Sequence, residues 1–243
     1  NRIKYFTNTG KGQSSARNVG IKNASGEFIA FLDDDDINLP YRFESQLNAA
    51  KNSGSGFIVS GYQVADRNTG RILSEHKLEL KGEGAGFTSR WFIKKELLET
   101  VGGFCESFPS MMEIELSYRI ATHERFVLHD RVVSVLNLTA NSVSRNKNNS
   151  LKGKVMLMEQ LGENMLPAEA AWWYFIIGID YYCLSDIKNA KKYIRKASEL
   201  RNSFPYKLGN VYASHISSEK RLQKKINMKI LQTLANHNFP LLV

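Results

Sequence analysis

Glu27-Phe28-Ile29-Ala30-Phe31-Leu32-Asp33-Asp34-Asp35-Asp36 is the stretch whose reading decides the fold. It opens as an apolar run and closes in adjacent carboxylates. Apolar runs of this length, bounded by turn signals and rich in aromatics and Ile, predict a buried strand. Gly26 precedes the run. Pro40 follows it at a helix start, with Phe43, Leu47 and Ala50 at helical spacing behind. The carboxylates therefore fall where a buried strand leaves a sheet and turns into a helix, and in open α/β sheets ligands bind beyond the carboxyl ends of strands.

Adjacent carboxylates repel one another unless they are solvated or a cation neutralises them. Hard divalent cations such as Mg²⁺ and Mn²⁺ take oxygen ligands, typically one or two carboxylates plus substrate phosphates. A solvated acidic turn is the alternative. An EF-hand fails on inspection. Glu44 stands twelfth from Asp33, but Ile37 and Asn38 take the fifth and sixth places, where an oxygen ligand and Gly are required.

A chain of 243 residues has room for one large domain, or one domain and an appendage. A hydrophobic share of 42% and an aromatic share of 11% are enough for a packed core. Cys105 and Cys183 show no metal-ligand spacing, so neither a zinc site nor a disulfide scaffold is expected. The longest apolar run, Ala170 to Ile179, is about half of the ~20 residues a spanning helix requires. The net charge of +9 calls for an anionic partner: nucleic acid, anionic lipid or a phosphorylated small molecule.

Working outward from the acidic run, Ile3 to Thr7 reads as a short strand. Asn8 to Gly12 reads as a loop, and Ser14 or Ser15 as the cap of a helix carrying Ala16, Val19 and Ala24. Strand, helix and strand then predict a parallel crossover ending at the carboxylates. Downstream, Phe57 to Tyr62 reads as a buried strand, Asp66 to Gly70 as a turn, Arg71 to Leu80 as an edge strand, Lys81 to Gly86 as a Gly-rich loop, Phe87 to Ile93 as a strand and Lys94 to Thr100 as a short helix. Gly102 and Gly103 mark a tight backbone. Glu113 and Glu115 stand near the start of a helix, whose dipole favours negative charge there; Ile114, Tyr118 and Ala121 are its expected buried face. In isolation these acids read equally as surface caps. Phe126 to Leu138 reads as one or two strands, and Asn141 to Ser150 as a polar linker.

The run Asn8-x-Gly10, Ser15-Ala16-Arg17-Asn18-x-Gly20, Ala24-x-Gly26 and on through Asp36 resembles the family 2 glycosyltransferases of GT-A fold. So does Val101-Gly102-Gly103-Phe104 followed by Glu113-x-Glu115-Leu116-x-x-Arg119. The resemblance covers residues 1–145. It implies a GT-A-like, Rossmann-like mixed α/β sheet flanked by helices; beyond it, the pattern over 151–243 reads as an α-helical region. The resemblance also implies transfer of a sugar from a nucleotide-sugar, usually UDP-linked, with inversion, onto a glycan or lipid-linked acceptor, aided by Mn²⁺ or Mg²⁺. Carried over residue by residue, it puts the metal on Asp35 and Asp33, the donor near Asp33, Asp34 and Asp35, and the general base on Glu113. Glu115 and Gly103 are acceptor-side candidates. Arg17 is either a diphosphate contact or a buried partner of the acidic turn. Two departures stand out: the family's usual first strand–helix–strand portion has no counterpart here, and Thr139 takes the place where many members carry a His that completes the metal site. A remnant serving as a binding or scaffolding module is the competing reading.

Ala168 to Leu184 and Ile187 to Leu200 read as a tetratricopeptide-like hairpin, with Asp186 capping the second helix and its aromatics as core. The chain's end is basic. A helix over residues 223–234, with Ile226, Ile230 and Leu234 on one side, suits an anionic membrane surface or a solvated face. The expected location is cytoplasmic, peripheral to the inner face of the membrane. No nucleic-acid motif is present, so no nucleic-acid partner is expected.

Overall fold

The strand that organises the core is Phe57–Asp66 (β3), whose first half is buried throughout because both of its faces are covered. In the computed structural model, which describes residues 2–77, 85–138 and 146–201, the chain divides into two compact units with the boundary between residues 143 and 144.

In the first unit, Gly12–Asn23 (α1) precedes Phe28–Ile29 (β1), Ile37–Asn38 (β2) and Arg42–Ser53 (α2). After β3 come Ile72–His76 (β4), Trp91–Lys94 (β5), Lys95–Thr100 (α3), Met112–Ala121 (α4) and Val127–Leu138 (β6). The sheet order is β1-β5-β3-β6-β2, with β4 sharing with β5 the edge of β3. It is a mixed sheet: β3 and β6 pair parallel, and the remaining pairs are antiparallel. Trp91 packs edge-on against Phe31 and Phe57, and Phe31 against Phe104, so an aromatic core lies directly beneath the acidic run.

Several sequence expectations change. Residues 3–7 form no strand; their side chains are exposed and their backbone joins no ladder among the described residues. The apolar run is a strand only at Phe28–Ile29, and it pairs antiparallel with β5 (Phe28↔Lys94), so there is no parallel crossover into the acidic turn. Burial of Phe31 comes from ring packing, which needs no ladder. Ser14 and Ser15 lie buried inside α1 rather than capping it; Lys11 is the N-cap, and Ser15 Oγ donates to Asn8 Oδ1 at 3.0 Å. Residues 88–90 form a 3-10 turn before β5. Helix α4 buries Met112, Ile114, Glu115, Leu116, Ser117 and Ile120, while Ala121 is exposed. The expected linker contains the start of a helix, Lys147–Leu161 (α5), capped by Asn146.

The second unit continues with Pro167–Cys183 (α6) and Ile187–Leu200 (α7). Asp186 Oδ1 accepts the Asn189 N–H at 3.0 Å, as an N-cap does. Ala171, Phe175, Ile179 and Tyr182 of α6 share one core with Ala190, Ile194 and Ala197 of α7, so the aromatics here are mainly packing. Among the described residues no helix is long and apolar enough to cross a membrane. The basic helix expected over residues 223–234, and Thr139, lie outside the described residues.

Candidate active site

Asp33 to Asp36 form a turn closed by the Asp36 N–H donating to the Asp33 carbonyl at 3.1 Å. Two side chains from distant elements hold it. Ser89 Oγ accepts the Asp33 N–H at 3.2 Å and donates to Asp36 Oδ2 at 2.5 Å. Asn137, at the end of β6, donates its N–H to Asp36 Oδ1 at 3.3 Å and its side-chain amide to the Asp35 carbonyl at 2.6 Å. Asp36 is thus the inward acid of the four. Burial pushes its carboxyl up, the hydrogen bonds from Ser89 and Asn137 oppose, and Asp33 and Asp35 add to the rise. Asp34 is exposed and Asp35 half-buried, and neither carboxylate has a hydrogen-bond or ion-pair partner among the described residues.

Arg17, on α1, joins this turn to α4. Its guanidinium donates to Asp33 Oδ1 at 2.8 Å and to Glu113 Oε1 at 2.7 Å, across 16 and 96 residues of sequence. Its face lies 5.3 Å from the centre of the Phe104 ring. Burial works against its charge, but Glu113 and Asp33 outweigh it and raise its pKa, so Arg17 stays a cation. Of the two expected roles of Arg17, the geometry shows the partner of the acidic turn, largely buried between Asp33 and Glu113.

Glu113 sits in the first turn of α4, where the helix dipole favours a carboxylate. Its side chain is 19% exposed, and Oε2 has no partner among the described residues. Glu115 is different. It is 2% exposed and paired with Arg119, whose guanidinium also donates to the carbonyls of Val101 and Gly103, the latter at 2.7 Å. Both of its carboxylate oxygens are engaged by that pair, so Glu115 anchors the Gly102-Gly103 loop to α4. Gly103 has φ +70, and a Cβ there would fall 2.6 Å from Asn18 Oδ1. The space is taken because Asn18, next to Arg17, clasps the Phe104 backbone, accepting its N–H at 2.8 Å and donating to its carbonyl at 2.9 Å.

The structure therefore brings Arg17, Asp33 and Glu113 into contact, with Asp34 and Asp35 on the same turn as Asp33. Sequence reasoning missed Ser89, Asn18 and Arg42. Arg42 is fully buried and donates to the carbonyls of Phe31 at 3.0 Å and Trp91 at 2.9 Å, as well as to Gln46 and Asn38. Burial pushes its pKa down to about 10, so it remains charged and fixes the strand end from which the acidic turn leaves. In sequence it looks like an ordinary solvated helix residue. For Asn18, its place beside Arg17 in the Ser15-Ala16-Arg17-Asn18-x-Gly20 run was the available signal.

Among the described residues, no three His, Cys, Asp or Glu side chains are grouped to hold a metal by themselves. The open donors on this turn, Asp34, Asp35 and the second oxygen of Asp33, are hard oxygens, which fits an ion sharing one or two carboxylates with phosphate oxygens. A separate cleft of about 570 Å³, lined by Tyr41, Gln63, Glu75, His129 and Arg131 among others, includes none of Asp33, Asp35 and Glu113.

The model of the family described as glycosyl transferase family 2 matches residues 1–112. The chain is 30% identical over 210 residues to the Escherichia coli protein UDP-Glc:alpha-D-GlcNAc-diphosphoundecaprenol beta-1,3-glucosyltransferase WfgD, covering 79% of this chain and 78% of that one. It is 40% identical over 75 residues to an uncharacterized glycosyltransferase of Rickettsia felis, covering 31% of this chain and 12% of that one. The crystal structure of S. aureus TarS 1–349 in complex with UDP-GlcNAc superposes with a TM-score of 0.58 at 15% identity, covering 92% of this chain and 71% of that one, a likeness of fold.

Proposed function

The chain belongs to glycosyl transferase family 2, and from that premise we propose that it moves a sugar from a UDP-linked donor to a hydroxyl of a glycan or lipid-linked acceptor, with inversion at the anomeric carbon. The observation that carries this reading is Arg17 bridging Asp33 and Glu113, because it puts an acidic, cation-compatible turn and a carboxylate base around one point.

In this reading the acceptor oxygen bonds to the anomeric carbon as the bond from that carbon to the diphosphate breaks on the opposite face. An acceptor hydroxyl is a weak acid, so its proton must go to a carboxylate within hydrogen-bond reach. Glu113 supplies that carboxylate: Arg17 fixes Oε1, and Oε2 takes the proton. The electron pair leaves with UDP. Asp35, with Asp33, would hold a Mn²⁺ or Mg²⁺ ion, which when bound offsets the charge of the departing diphosphate as a Lewis acid. Arg17 adds a fixed positive charge to the same region, which favours an arriving diphosphate. A lipid-linked acceptor would place the enzyme at the cytoplasmic face of a membrane.

The donor and acceptor in the Escherichia coli relative's name are the first pair to test. Radiolabelled UDP-glucose and a synthetic α-D-GlcNAc-diphospholipid should give a labelled lipid product with inverted anomeric configuration. Glu113→Gln should retain UDP affinity and lower transfer by about 10²–10⁴-fold. Transfer by Glu113→Gln at the parent's rate would remove Glu113 as the base.

A further inference from the structure

We propose that Phe87 is a sugar-binding residue whose ring, backed by Tyr62, forms a platform for a pyranose ring beside the acidic turn. The inference rests on the glycosyltransferase reading above and adds to it a residue that neither motif contains.

Phe87 has φ 63 and ψ 98, a left-handed backbone conformation that is an outlier for a bulky aromatic side chain. A phenyl group held there is kept at a conformational cost, and such strain clusters at functional sites. The ring is not buried in recompense: the residue is 42% exposed. The next three residues, Thr88, Ser89 and Arg90, are all buried in the 3-10 turn, which leaves Phe87 as its exposed member.

The ring is also held in place. Its centroid is 5.4 Å from that of Tyr62, whose ring also stacks on His76 at 4.7 Å and lies 5.2 Å from the Arg90 guanidinium. Arg90 is buried, its Nε has no hydrogen-bond partner among the described residues, and burial pushes its pKa down to about 10, with its guanidinium against the Tyr62 face. The Arg90 N–H donates to the Phe87 carbonyl at 3.4 Å.

The position matters as much as the strain. Ser89, two residues on, is the side chain that clamps both Asp33 and Asp36. Two virtual bonds of 3.8 Å put the Phe87 Cα within about 8 Å of the Ser89 Cα. The turn that holds the acidic run through Ser89 thus also carries an exposed aromatic side chain two residues away. A pyranose ring carries one face of C–H bonds, which packs on an aromatic ring, while its hydroxyls stay free to bond elsewhere. Both the donor sugar and the acceptor sugar have that chemistry, and both must approach the acidic turn.

The test compares the parent, Phe87→Ala and Phe87→Tyr with UDP, UDP-glucose and the synthetic α-D-GlcNAc-diphospholipid. Phe87→Ala should keep the parent's affinity for UDP and its Tm, because the ring buries little and its backbone is strained. A rise of about tenfold or more in KM for UDP-glucose, read as donor hydrolysis, assigns the platform to the donor ring. Unchanged donor constants with about a tenfold rise in the lipid's KM assign it to the acceptor ring. Phe87→Tyr, which keeps the aromatic face, should restore the affected constant. Donor constants within about twofold of the parent and no acceptor effect with this lipid would overturn the inference while leaving the glycosyltransferase reading intact. A parent that neither binds UDP nor hydrolyses UDP-glucose would overturn both.

Discussion

Arg17 is the residue through which the two motifs become one site. Its guanidinium offers a fork that a lysine lacks, and each arm holds a different carboxylate. Arg17→Lys and Arg17→Ala should both lower transfer by about 10²-fold or more, with Ala also weakening UDP binding. Steady-state kinetics beside UDP titration would separate the two effects. Transfer by Arg17→Ala near the parent's rate would mean the bridge only supports packing. Asp36 makes a different prediction, because its carboxyl is pushed up by burial. A raised value means the folded chain holds the proton more tightly than the unfolded one. The resulting stabilisation is full below the ordinary Asp range and is lost as pH rises through the raised value. Asp36→Asn cannot lose it, so its Tm measured against the parent's should improve as pH rises from about 4 to about 7. A difference that stays flat over that range would contradict the assignment.

At the scale of elements, the loop Val101 to Phe104 shows how the site is kept rigid from behind. Arg119 holds its carbonyls from α4, and Asn18 holds Phe104 from α1. Gly103 is required there twice, by its φ of +70 and by the 2.6 Å approach to Asn18 Oδ1. Gly103→Ala should cost about 2–4 kcal/mol of stability, seen as a lower midpoint in urea, and should loosen the α1–loop contact that positions Arg17. Elements with local determinants were legible in the sequence. Helix α7 runs from its Asp186 cap to Leu200 as the apolar spacing predicts; β3 starts at Phe57 as the apolar run predicts but continues past Tyr62 to Asp66, and the turn to Gly70 falls where its turn residues put it. Strands were less legible, because a strand exists only where a second strand pairs with it. Residues 3–7 have strand-like composition without a ladder among the described residues, and past Ile29 only Phe31 of the apolar run is buried, by aromatic packing, with Arg42 at its carbonyl, while Leu32 is exposed.

At the scale of the whole molecule, the residues proposed to carry the chemistry were more legible than the scaffold that orients them. Asp33 and Glu113 stand out as acids next to apolar runs and glycines, so motif spacing finds them. Ser89, Asn18 and Arg42 are ordinary polar residues whose importance comes from what folding brings to them, across 56, 86 and 49 residues of sequence in the contacts with Asp33, Phe104 and Trp91. The mixed sheet serves this purpose. Strand β1 leads toward the acidic turn, β5 begins just after the Ser89 clamp, and Asn137, next to the last residue of β6, holds the same turn. The central claim is that this turn, held by three elements, binds a donor diphosphate through a divalent ion. The most direct measurement is calorimetric titration of UDP into the chain with Mn²⁺ and again with EDTA, for the parent and for Asp35→Ala. The account predicts binding that EDTA abolishes and that Asp35→Ala loses. Folded parent protein that binds UDP equally well in EDTA, or Asp35→Ala that binds like the parent, would contradict it.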